Sequence, residues 1–138
     1  MRILPSLLAL ADRRRAPAVV SAHCDLPCGI YDPAQARVEA ESVKAIIDKY
    51  NASEDEAFRA RSLVVKEERA DLVKHHLWVL WTDYFKPPHL EQYPNLHELF
   101  WNATKTAGQC KGSTDAAVAQ SLLDQIEAIS AIFWQTKA

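Results

Sequence analysis

An all-α chain is predicted, a four-helix bundle preceded by a short N-terminal hook, and three observations predict it. Only three glycines occur in 138 residues, too few for the tight turns of a β-rich fold. Apolar residues recur at helical spacing in four successive stretches. Mostly short links separate those stretches, the pattern of a bundle whose sequence neighbours pack side by side. Hydrophobic residues make up 49% of the chain and charged residues 25%, ordinary for one globular domain that buries its own core.

The elements follow in order. Residues 1–22, MRILPSLLALADRRRAPAVVSA, stand apart, with Arg2, Arg13, Arg14 and Arg15 against Asp12 alone. A secretory signal carries its basic residues ahead of the apolar run. Here the apolar run Ile3–Ala11 precedes the arginines, so a removable leader of another kind fits better. Asp32-Pro33 then reads as a helix start, Asp as cap and Pro where an N–H is dispensable. Val38, Val43, Ile46, Ile47 and Tyr50 carry that helix to about Asn51. Ser53-Glu54-Asp55-Glu56 reads as a capping box. It opens a second helix with Phe58, Val65, Leu72, Val73, Leu77, Leu80 and Tyr84, which must stop before Lys86-Pro87-Pro88. Pro94 is predicted to start a third helix, carrying Leu96, Leu99, Phe100, Ala103 and Ala107 and ending near Gly108 or Gly112. Ser113 or Asp115 caps the fourth, with its stripe Val118, Leu122, Ile126, Ile129 and Phe133.

Bulk properties exclude several classes. A net charge of −2 and a pI near 6.2 give no sign of a nucleic-acid partner. No apolar run approaches the ~20 residues of a membrane helix. Three cysteines leave one over if two pair, which argues against a secreted disulfide scaffold. The expected location is cytoplasmic.

Residues 21–33 read SAHCDLPCGIYDP and place His23, Cys24 and Cys28 within six positions. A disulfide across Cys24 and Cys28 can close, though Pro27 makes the loop tight. A structural zinc site wants four ligands at recurring spacings, and the adjacent His75-His76 point about 100° apart on a helix. A third reading starts from a cut between Ala22 and His23. The new amine, the Cys24 amide nitrogen and the Cys24 thiolate then form two fused five-membered chelate rings. Cys28 adds a second, cis thiolate, and the His23 imidazole lies within reach of the axial position. Planar coordination of this kind suits Cu(II) or Ni(II), and because thiolates reduce Cu(II), nickel is the better fit. Two thiolates and an anionic amide also stabilise Ni(III), so the set suits one-electron cycling.

HCDLPCGIYDPAQARVEAESVKA resembles the start of mature nickel superoxide dismutase, with its H-C-D-L-P-C-G-x-Y signature. The likeness continues through VVKEERADLVKHHLWVLWTDYFKPPHLEQYPNLHEL and into IFWQTK, and so covers essentially all of residues 23–138. The resemblance implies a leader at 1–22, removed by a peptidase at Ala22–His23, and an enzyme domain at 23–138, with the hook at 23–31 and the bundle at 32–138. It implies one nickel ion per subunit, a homo-hexamer, and superoxide as substrate, dismuted to O₂ and H₂O₂. By resemblance His23, Cys24 and Cys28 ligate the metal. Tyr31 stands over its open face, Tyr84 is the hydrogen-bonding partner of Tyr31, and Asp25 shapes the hook.

Glu39 and Arg69 fall on inward faces of their helices, where charges need partners. By resemblance both hold the His23 imidazole in reach of nickel, and a plain ion pair is the alternative. Lys86 is read as guiding an anionic substrate. His75, His76, His89 and His97 match no ligand pattern, and Cys110 reads as a small buried residue. The four tryptophans are candidates for the core or for subunit contacts. Two other functions share the same residues: a non-enzymatic nickel or zinc carrier, and a thiol–disulfide protein cycling Cys24 and Cys28.

Overall fold

Asp32 accepts a hydrogen bond from the Ala34 N–H on its Oδ1 at 2.8 Å, and with Pro33 at φ −65° this starts helix α1, Ala34–Ala52. The computed structural model describes residues 28–137. The leader, the Ala22–His23 cleavage point, His23, Cys24 and Asp25 lie outside the described residues. Helix α2 spans Glu56–Val79 and continues as a π-helical turn, Leu80–Tyr84. A short α3, Pro87–Gln92, precedes α4, Leu96–Gly112, and α5, Ala116–Lys137.

The cap of α2 differs from the predicted box. Asp55 caps it, its Oδ1 accepting from the N–H groups of Ala57 and Phe58 at 3.0 and 3.3 Å. The Ser53 Oγ accepts the Asp55 N–H. A carboxylate satisfies orphan N–H groups and also suits the positive end of the helix. The link into α5 repeats the device: Ser113 Oγ accepts from Asp115 N–H and Asp115 Oδ1 from Ala117 N–H. Helix α3 was not foreseen. The Pro-Pro pair that stops α2 also provides preorganised first positions for the next helix.

Contacts run α1 to α2, α2 to α4, α4 to α5 and α1 to α5, which closes the four long helices into a ring. Neighbours are antiparallel. Glu39 meets Arg69 while Tyr50 meets Arg59, and Lys66 reaches Cys110 while Trp81 meets Phe100. The core runs between them through Val43, Ile47, Val73, Leu77, Leu96, Leu122, Ile126 and Phe133. Cys110 is fully buried, as predicted. Trp78, Trp101 and Trp134 are 49%, 59% and 52% exposed, which leaves them outside the core. Among the described residues there is no strand, and no helix is long and apolar enough to cross a membrane.

The buried line of α2 runs Ser62, Lys66, Ala70, Val73 and Leu77, whereas Phe58 is 41% exposed. Lys66 is 2% exposed. Its ammonium donates to the carbonyls of Cys110, Lys111 and Ser113 at 2.6, 2.7 and 2.7 Å. These are carbonyls that the end of α4 leaves without intrahelical partners. Burial pulls the Lys66 pKa below its ordinary value. Three acceptors for three N–H donors, at the negative end of a helix, favour the charged form.

Candidate metal and substrate site

The site lies where α1 begins and where α2 and α5 end. Cys28, exposed, is followed by Gly29 at φ +69°. This left-handed turn suits glycine because a Cβ would strain the backbone itself; the space around Gly29 is open. The Cys28 Sγ accepts the Ile30 N–H at 3.4 Å and lies 3.9 Å from the Ile30 carbonyl. Tyr31 then folds back onto the bundle, its ring 5.7 Å from that of Tyr84.

Tyr84 stands on the π-helical turn, closed by the Phe85 N–H bonded to the Leu80 carbonyl at 3.1 Å. Such wide turns insert a residue and occur often at functional sites. Its ring packs on Phe133 at 4.4 Å, on Phe85 at 5.0 Å and, nearly parallel, on His89 at 5.8 Å. His89 is in turn fixed by its Nδ1, which accepts the Lys86 backbone N–H at 3.2 Å. Gly29, Tyr31, Asp83, Tyr84, Lys86 and His89 together line a cavity of about 300 Å³. Tyr31, Tyr84 and Lys86, singled out from the sequence, are thus brought together. The hydrogen bond at the Tyr84 hydroxyl runs to Thr136 Oγ1, at 2.7 Å, while the two tyrosines meet through their rings.

A second cavity of about 400 Å³ lies against the start of α1, lined by Ala34, Gln35, Val38, Glu39 and His76. Arg69 Nη1 donates to Glu39 Oε2 at 3.2 Å. The carboxylate is the more buried partner, 17% exposed against 37% for Arg69. The two charges therefore pair with each other; the expected hold on the His23 imidazole falls on a residue outside the described ones.

The sequence reading missed Asp83, His89 and Thr136. Asp83 Oδ1 lies 3.0 Å from Thr82 Oγ1, whose one hydrogen is shared with the Trp78 carbonyl at 2.8 Å, and Oδ2 is buried with no hydrogen bond from the described residues. The Pro-Pro stop signalled a helix end, but nothing in the sequence signalled the π turn that sets Asp83 beside Tyr84. Thr136, near the C-terminus, had no local pattern to mark it.

Among the described residues no three His, Cys, Asp or Glu groups cluster as a metal site. Cys28 offers an exposed, soft sulfur donor beside Gly29, which lines the cavity, and such a donor fits a thiolate-loving metal. The family profile described as nickel-containing superoxide dismutase matches residues 18–137. The chain belongs to the nickel-containing superoxide dismutase family.

Related sequences and structures agree. The chain is 60% identical to a nickel superoxide dismutase of Streptomyces seoulensis over 129 residues, 93% of this chain and 98% of the relative. It is 57% identical over the same length, with the same coverage, to one of Streptomyces coelicolor. A native nickel superoxide dismutase structure superposes with a TM-score of 0.82 at 57% identity, covering 84% of this chain and all of the other. A second, with nickel ligation corresponding to the oxidised state, gives 0.81 at 61% identity, covering 83% and 98%. The activity is nickel-dependent dismutation of superoxide to O₂ and H₂O₂, and the carrier and thiol–disulfide readings are not favoured.

Proposed function

We propose that this chain holds one nickel ion per subunit through the His23 amine and imidazole, the Cys24 amide and thiolate and the Cys28 thiolate, after removal of residues 1–22. The observation that supports the reading is that Gly29, the neighbour of Cys28 in the chain, lines one cavity with Tyr31, Tyr84 and Lys86. When bound, nickel supplies one-electron exchange between its +3 and +2 states. The chain's own groups do the rest. Lys86 draws the anion in, Tyr31 and Tyr84 limit what comes near, and Asp25 shapes the hook. Asp83 Oδ2, buried without a donor, supports a further segment packing into this cavity.

Exposed tryptophans on several helices support assembly through those faces, and a homo-hexamer in the cytoplasm is the form we propose, processed by a leader-removing peptidase. Sedimentation of the nickel-loaded protein tests the hexamer.

The decisive experiment compares the chain with and without residues 1–22, each verified by intact mass. While Ala22 remains, the His23 nitrogen is an amide and cannot serve as the terminal amine donor. The uncleaved chain is expected to show no superoxide turnover. Normal turnover by a chain that retains residues 1–22 would overturn the proposal.

Glu39→Ala and Arg69→Ala are each expected to keep nickel and to lower turnover about tenfold or more, the usual cost of losing a ligand's outer partner. A half-exposed pair of this kind contributes at most about 1 kcal/mol to stability, so the fold should be nearly unaffected. Complete loss of nickel in either variant would assign the pair to direct ligation or to folding.

A further inference from the structure

We propose that Thr136 is a positioning residue that fixes the direction of the Tyr84 phenolic proton and thereby leaves Tyr84 unable to donate a hydrogen bond to an anion in the cavity. The assignment follows from counting hydrogens. A threonine hydroxyl carries one hydrogen. That of Thr136 is directed to the Phe133 carbonyl, 2.6 Å away, and a carbonyl can only accept. The contact of 2.7 Å between Tyr84 Oη and Thr136 Oγ1 therefore has Tyr84 as donor. The single Tyr84 proton is then committed, and its oxygen keeps only lone pairs for any other partner.

The arrangement is held from several sides. Phe133, whose carbonyl takes the Thr136 proton, also packs its ring on that of Tyr84 at 4.4 Å. His89 stacks on Tyr84, and the Lys137 ammonium lies 5.5 Å from the ring centre. An oxygen that offers only lone pairs repels superoxide, halide or azide, yet it accepts from water or from neutral hydrogen peroxide. Attraction of the anion is left to cations such as Lys86, and close approach at the Tyr84 side is penalised. The consequence is discrimination: small anions that do not react are not retained beside the metal.

The proposal rests on the reading that this cavity is the anion's approach, and the test separates the two. Thr136→Val removes the hydroxyl at nearly constant volume and frees the Tyr84 proton to point at an anion. Azide binding, followed by the nickel EPR spectrum, should tighten about tenfold, the usual scale of one hydrogen bond to a charge, with nickel content unchanged. Thr136→Ser, which restores the hydroxyl, should bind azide as the parent protein does. In a Tyr84→Phe background Thr136→Val should have no further effect. Unchanged azide affinity in Thr136→Val, an equal shift in Thr136→Ser, an undiminished shift without the Tyr84 hydroxyl, or loss of nickel would each overturn the proposal. Azide binding that ignores Tyr31→Phe as well would overturn the cavity reading itself.

Discussion

Cys28→Ser is expected to abolish both nickel binding and superoxide turnover, and Cys24→Ser should do the same. Serine keeps the size and loses the chemistry. An alcohol stays protonated at neutral pH and is a hard, weak donor, whereas a thiolate is a soft one that stabilises the higher oxidation state. Cys28 is exposed, so its sulfur is within reach of a metal. Cys110 is the built-in control. It is fully buried, and burial pushes its thiol pKa up, so it remains a protonated, inert packing group. It also lies at the Lys66 end of the bundle, about 27 Å along α2 from Tyr84 at the ordinary helical rise. Cys110→Ser should keep nickel and turnover while losing about 1 kcal/mol of stability from burying a hydroxyl. Nickel per chain and superoxide turnover on the three variants check this. A requirement for Cys110 equal to that for Cys28 would contradict the metal centre described here.

Lys66→Met should cost the fold about 3 kcal/mol, because one buried and two part-buried carbonyls lose their charged donor at once. Methionine nearly fills the same space, which separates the polar loss from a cavity effect. The expected fall in melting temperature is roughly 10 °C for a chain of this size, measured at fixed protein concentration. Lys111→Met, on the exposed pair with Asp71 at 2.8 Å, should barely move it, since exposed pairs contribute little. An unchanged melting temperature in Lys66→Met would mean that water replaces the ammonium without penalty.

The sequence by itself determined the four long helices and their order. These depend on local chemistry: an Asp-Pro start, a Pro-Pro stop and apolar residues every three or four positions. It also placed Glu39 and Arg69 on inward faces and Cys110 in the core, since periodicity alone decides which face is buried. The cap of α2 was misplaced by two residues because Ser53 and Asp55 compete for one role, and the charged group prevailed.

Tertiary structure decided the rest. Lys66 reads as a solvated charge in any local window, because the carbonyls that justify its burial lie more than forty positions away. Thr136 and Tyr84 are 52 positions apart, and His89 belongs to a helix that the prolines appeared only to forbid. Lys66 and Thr136 take their meaning from hydrogen bonds to groups that only the antiparallel packing of the bundle brings within 3 Å. Local sequence carries propensity and periodicity, but a donor's partner is fixed by where distant helix ends meet.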